Sequence, residues 1–219
     1  MPRPLRIQYP GAVYHVMNRG NGRQAIFEDA TDAQRFMELL EETANPLSWR
    51  VYAYCLMTNH YHLVVQTEHP NLSQGMQAFA ARYTQAFNRR HARDGHLFRG
   101  RFKAILVERE SYLVPVIRYV VLNPVLADLV QDPAAWRWSS YRATAGATPA
   151  PPFLDFSWLI GTYAFALPQA QDAWRAHVAE GLRERAKVRE IEDKLRNRSV
   201  LGGREFLRDA RRKAHRAAA

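Results

Sequence analysis

The sequence predicts an α+β fold: an antiparallel sheet sandwiched by helices, followed by a helical, basic C-terminal appendage. Three observations carry this reading. Runs of alternating β-branched and aromatic residues mark strands, apolar residues at helical spacing lie between them, and the charge balance shifts late in the chain. Successive side chains of a strand point to opposite faces, so the alternation over 12–18, 50–57, 61–67 and 97–108 reads as four strands. Between the first two, residues 32–44 place Phe36, Leu39 and Leu40 on one helical face and stop at Asn45-Pro46. The Thr58-Asn59 stretch is short enough for a hairpin between the second and third strands. A second helix over 71–91 carries Met76, Phe79, Ala80, Tyr83 and Phe87 at helical spacing and ends before Asp94-Gly95. A third covers 111–122, with Leu113, Val116, Ile117, Val120 and Val121 apolar, a kink expected at Pro115, and closure at Asn123-Pro124. The order is βαββαβ followed by a helix.

With 219 residues, 47% of them hydrophobic and 24% charged, the chain can bury a sizeable core and is neither disordered nor fibrous. No apolar run approaches the ~20 residues that cross a bilayer, and Arg3, Pro4, Arg6, Pro10 and Gly11 break any secretory h-region, so no membrane partner and a cytoplasmic location are expected. Cys55 is the only cysteine, which excludes an internal disulfide and any zinc site built from cysteine pairs. Residues 143–152 form the one low-complexity stretch. The expected organisation is a domain over 1–145, a linker over 146–152 and a helical basic region over 153–219.

The formal net charge of +10 points to a polyanionic partner. It is concentrated: residues 82–103 carry +6 and residues 181–219 carry +7, leaving the remainder at −3. The candidate phosphate-binding cations in the first stretch are Arg82, Arg89, Arg90, Arg99, Arg101 and Lys103; Arg93, beside Asp94-Gly95, reads as a solvated charge. Trp136 and Trp138 read as packing residues. The late basic stretch reads as a solvated tail, as an extension of the grip on a polyanion, or as an arm folded over the functional site.

The chemistry centres on His60-Tyr61-His62. Alternation puts both imidazoles on one face of the third strand, where they could serve as neighbouring metal ligands. In the third helix Tyr119 and Asn123 are four residues apart and share a face, so a hydroxyl and an amide project together. Taken singly, Tyr119 reads as a core aromatic and Asn123 as a helix end. Taken together, two imidazoles and an amide oxygen form a mixed N/O set suited to Mg²⁺ or Mn²⁺ with positions open for substrate oxygens. Such an ion polarises a phosphodiester oxygen, and a phenol held nearby can attack phosphorus. Tyr112 is the second candidate nucleophile, with no asparagine four residues on.

At these residues the chain resembles the REP-associated tyrosine transposases, bacterial members of the single-tyrosine HUH nucleases. The matching text is Tyr54-Cys55-Leu56-Met57-Thr58-Asn59-His60-Tyr61-His62-Leu63-Val64, then His96-Leu97-Phe98-Arg99-Gly100-Arg101-Phe102-Lys103, Arg118-Tyr119 through Asn123-Pro124-Val125, and Trp138-Ser139-Ser140-Tyr141. It spans roughly residues 8–142 and does not cover the appendage well. The resemblance implies an HUH, ferredoxin-like core with His60 and His62 as metal ligands, Asn123 as the third ligand and Tyr119 as nucleophile. It implies cleavage of single-stranded DNA beside REP hairpins through a 5′-phosphotyrosine, strand transfer without ATP, a monomer with dimerisation possible, and a nucleoid-associated life in a bacterial cytoplasm. Two other classes stay open: a non-catalytic hairpin-binding regulatory module, and a replication-initiator or relaxase-like nuclease.

Overall fold

In the computed structural model, which describes residues 6–218, the chain folds around a five-stranded sheet. Arg3, Pro4 and the terminal Ala219 lie outside the described residues. The strands are β1 (Ala12–Arg19), β2 (Trp49–Met57), β3 (His60–Thr67), β4 (Lys103–Val107) and β5 (Val200–Leu201), in the spatial order β2-β3-β1-β4-β5. The first four pair antiparallel, as the alternation implies, and β5 adds to β4 in parallel. The β2–β3 hairpin turns on Thr58-Asn59, whose carbonyls accept from the backbone of Ile26 and Gly20 and so pin the turn to the end of β1.

One face of the sheet is covered by α1 (Ala30–Ala44) and α2 (Leu72–Arg90). Asp29 caps α1 by accepting from the backbone N–H groups of Thr31 and Asp32. Phe36 of α1 stacks among Phe79, Tyr83 and Tyr61 with ring centroids 4.8, 5.1 and 4.9 Å away. These rings form the centre of that core, as edge-on aromatic packing favours. Tyr61 therefore turns away from its two histidine neighbours, as strand geometry requires.

The other face is covered by α3 (Arg109–Leu126), which is itself enclosed by α5 (Ser157–Tyr163), α6 (Leu167–Arg183) and α7 (Arg185–Asn197). Every residue from Tyr119 to Val125 is buried, which a helix achieves only when packed on all sides. In this layer Trp158 meets Trp174 edge-on at 5.2 Å, and Trp174 donates its indole N–H to Thr144 of the short α4 (Tyr141–Thr144). The final helix, α8 (Arg204–Ala218), returns to the first layer, burying Ala210 there and exposing Arg204, Arg208, Arg211, Arg212, Lys213 and Arg216.

Three expectations differ from what is observed. The fourth strand begins at Lys103 and not at 97, because Leu97, Phe98 and Phe102 all bury into the α1/α2 layer and the 97–102 segment cannot alternate. The third helix runs through Asn123-Pro124 to Leu126 instead of closing there, with both Pro115 and Pro124 inside it. Burial on every side holds the extra turn despite the missing proline donors. The appendage is helical as expected, but it also supplies β5, whose flanking carbonyls at Ser199 and Leu201 accept from Leu106 and Glu108.

The outer edge of the sheet is also covered. Along β2, Trp138 and Ser140 exchange backbone hydrogen bonds with Leu56 and Tyr54, while the Ser140 hydroxyl accepts from the Tyr54 N–H at 3.1 Å. This closes an edge that would otherwise present unpaired backbone groups. Trp136 is packed here too, donating its indole N–H to the Leu56 carbonyl.

Candidate active site

Strand alternation and antiparallel register bring three histidines to the α3 side of the sheet. His60 and His62 lie on β3, with ring centroids 5.0 Å apart. His15 lies on the neighbouring β1 and stacks on His62 at 5.1 Å. The Tyr119 ring, from the helix above, sits edge-on to both, 5.6 Å from His62 and 6.1 Å from His15. Asn123 lies one turn further along α3. Its amide nitrogen donates to the Tyr119 carbonyl at 2.9 Å, which leaves Oδ1 as the remaining acceptor of the side chain. The predicted quartet of His60, His62, Tyr119 and Asn123 is thus split between a strand and the helix packed directly on it.

Burial sets the electrostatics. The His60 pKa is lowered to about 4 by burial, with the Arg19 cation adding to the effect. His62, 3% exposed, is pushed far below the ordinary histidine value by burial and then by His15, His60 and Arg19. Both rings are therefore neutral near pH 7, the form in which imidazole offers a lone pair to a metal. Tyr119 is shifted the other way. Burial raises it above the usual phenol range, the Glu192 carboxylate adds to this, and an Asn123 hydrogen bond and the Arg196 cation oppose it.

One feature of the donor set fits a divalent cation. His62 Nε2 is buried with no hydrogen-bond partner among the described residues. A buried polar atom left unpaired costs stability unless something completes it. No cluster of three or more His, Cys, Asp or Glu side chains suited to a metal occurs among the described residues. An amide oxygen such as that of Asn123 is a kind of donor that suits Mg²⁺ or Mn²⁺.

The basic residues divide between the two layers. Arg19 ends β1 directly opposite His60 in the β1–β3 register. The 99–101 segment is fastened beside it: the Arg99 N–H donates to the Arg19 carbonyl at 2.9 Å, and the Asn18 amide donates to the Gly100 carbonyl at 3.1 Å. Exposed Arg99 and Arg101 therefore rim the end of the sheet where His60 lies. Arg82 and Arg90 lie in the other layer and are engaged with acidic residues, Arg82 with Glu42 and Arg90 with Asp29 and Asp32. Arg89 is exposed near the end of the same helix. Arg93 bonds Gln24 and lies 3.7 Å from Glu28. Lys103 turns inward, donating to the carbonyls of Leu195 and Arg196 at 2.8 and 2.6 Å, so it caps the last turn of α7. Tyr112, two turns before Tyr119, carries the Lys194 ammonium 5.7 Å over its ring.

Sequence reasoning missed His15, Asn59 and Arg19. For His15 a signal existed, a polar residue inside the apolar run of β1. Its approach to His62, however, depends on a strand register that local sequence does not carry.

The helix-sandwiched sheet has counterparts among known proteins. The family model described as "Transposase IS200 like" matches residues 8–123, more than half of the chain, and the chain belongs to that family. Among solved structures it is similar to a REP-associated tyrosine transposase bound to a REP hairpin, at 18% identity and a TM-score of 0.58, covering 72% of this chain and 96% of that one. At that identity the likeness establishes the fold. None of the curated proteins compared with the chain matches it. No helix among the described residues is long and apolar enough to cross a membrane.

Proposed function

We propose that this transposase-family protein is a metal-dependent, site-specific single-stranded DNA endonuclease and strand transferase that acts on REP-like hairpins through a 5′-phosphotyrosine intermediate. The observation that carries this reading is the Tyr119 ring packed against His62, with His60 adjoining on the same strand. A Mg²⁺ or Mn²⁺ ion held by His60, His62 and Asn123 would supply Lewis-acid polarisation of the scissile phosphate. Tyr119 Oη forms the new O–P bond as the bond from phosphorus to the 3′ oxygen breaks; the phenol releases one proton to solvent and the departing 3′ oxygen takes one up, so no net proton is gained or lost. One strand end leaves as a free 3′-OH and the other stays on the enzyme as 5′-phosphotyrosine. A second 3′-OH attacking that phosphorus rejoins DNA and returns the phenol, so no nucleotide cofactor is consumed. The hairpin preference is supported by the REP hairpin bound to the structural relative.

For DNA binding, the positions favour Arg19, Arg99 and Arg101 over Arg82 and Arg90, whose guanidiniums already face carboxylates. Removing one cation that neutralises a phosphate should flatten the salt dependence of binding by about 0.7 to 0.9 units of slope. Arg99→Ala with Arg101→Ala is therefore expected to weaken hairpin binding and lower the slope by about 1.5. Arg82→Ala should leave both nearly unchanged. Fluorescence-anisotropy titrations across salt concentrations check this, and an equal loss from Arg82→Ala would relocate the DNA track to the α1/α2 layer.

The placement of α7 favours restraint as the role of the arm. Ile191 and Leu195 share the core with Tyr119, and Glu192 helps hold the phenol protonated. Weakening this seat with Ile191→Ser and Leu195→Ser should speed adduct formation severalfold at unchanged hairpin affinity, read by single-turnover gel assays. Weaker binding at an unchanged cleavage rate would assign the arm to DNA grip instead.

A further inference from the structure

His15 Nε2 and His62 Nδ1 are 2.9 Å apart and buried, so one of the two nitrogens carries the shared proton. If His15 donates it, neutral His62 must carry its own proton on Nε2, where no acceptor exists among the described residues and no lone pair remains for a metal. If His62 donates it, its Nε2 is a bare lone pair. His60 reaches the same form by another route. The Asn59 amide is oriented by its nitrogen, which donates to the Arg23 carbonyl at 3.1 Å, so Oδ1 faces His60 Nδ1 at 2.8 Å. A carbonyl oxygen only accepts, so the His60 proton sits on Nδ1 and Nε2 is free.

We propose that His15 is a positioning residue: it accepts the Nδ1 proton of His62 and thereby fixes the tautomer and ring orientation in which His62 can bind a divalent cation. This rests on His60 and His62 being the ligands. The arrangement has a cost that packing alone would not impose, because His15 Nδ1 then keeps a buried proton with no partner. A phenyl ring would fill the same space without that orphan. Ligand histidines generally pass their second ring nitrogen to an acceptor of this kind, more often a carboxylate or carbonyl. Here an imidazole, 1% exposed and with its Nε2 2.9 Å from His62 Nδ1, is placed to play that part.

The test begins with long-range ¹H–¹⁵N spectra of the metal-free protein labelled at histidine. The expected result is an Nδ1–H tautomer for both His60 and His62; an Nε2–H tautomer for His62 overturns the proposal whether or not any variant folds. Mn²⁺ binding is then followed by electron paramagnetic resonance. His15→Phe, which keeps a ring but no acceptor, should weaken Mn²⁺ by about 10- to 100-fold, and His15→Gln, which restores an amide oxygen, should recover most of it. Equal Mn²⁺ affinity in wild type and His15→Phe, with melting temperatures matched, also overturns it. Failure of the wild type to bind Mn²⁺ would instead count against the metal-dependent reading, and the tautomer spectrum would still decide the role of His15.

Discussion

Tyr119→Phe is expected to eliminate the covalent protein–DNA adduct and to lower strand cleavage by at least about 10³-fold, because the variant deletes the only atom assigned to attack phosphorus. The ring itself is retained. Its edge-on packing against His62 and His15 uses carbon faces and edges that phenylalanine also has, so the site should keep its shape. No described hydrogen bond of the fold is donated by the Tyr119 hydroxyl to a backbone group, and stability should change by less than about 1 kcal/mol. Hairpin affinity should likewise hold, since the cations assigned to phosphate lie at Arg19, Arg99 and Arg101. Denaturing gels of the trapped adduct, run beside thermal melts and binding titrations, separate these effects. An adduct that persists in Tyr119→Phe, and vanishes in Tyr112→Phe, would transfer the chemistry to Tyr112.

The second large effect is expected at the histidine pair. His62→Ala should reduce metal-dependent cleavage by at least about 10²-fold, since mutation of a ligand costs no less than loss of the outer partner that orients it. His60→Ala should do the same from a more open position, so agreement between the two argues that ligation, and not a packing defect at the deeper His62, is responsible. Chelation of the wild type should reproduce the loss, and added Mn²⁺ should reverse it in the wild type alone. Hairpin binding measured in chelator should be similar in all three proteins. Cleavage that survives both substitutions would leave a tyrosine enzyme working without the histidines.

Much of the site could be read from the sequence because it is built from local periodicities. The two-residue repeat of a strand places His60 and His62 together and Tyr61 opposite, and the four-residue repeat of a helix aligns Tyr119 with Asn123. Both are properties of a few neighbouring residues. His15 was not legible, because its meeting with His62 is set by the β1–β3 register across 47 residues of separation. The ion pairs that occupy Arg82 and Arg90 were hidden for the same reason, since Glu42, Asp29 and Asp32 come from a different helix and its cap. Counting charge locates a basic stretch; it does not say which guanidiniums are already satisfied.

The appendage shows a second kind of limit. Residues 185–197 combine abundant charge with a narrow stripe of Val188, Ile191 and Leu195, a pattern equally suited to a solvated arm and to a helix docked on an apolar surface. Which applies depends on whether α3 leaves an apolar face uncovered. The run Val120-Val121-Leu122, apolar on consecutive positions, was the available clue that α3 is enclosed on more than the sheet side. The strand boundary at Lys103 and the short β5 are likewise decided by tertiary packing, where Leu97 and Phe98 dive into one layer and the last helices return the chain to the sheet edge.

Peptide mapping of the adduct formed with a single-stranded REP-like hairpin substrate in Mn²⁺ decides whether Tyr119 is the nucleophile. Cleavage after arginine separates the candidates, because Tyr119 lies in the fragment that follows Arg118 and ends at Arg137, while Tyr112 lies in the one that follows Arg109 and ends at Arg118. A nucleotide-bearing mass is expected on the Tyr119 fragment, formed only with metal and absent from His62→Ala. A nucleotide on the Tyr112 fragment, or cleavage with no protein-bound nucleotide at all, would contradict this assignment.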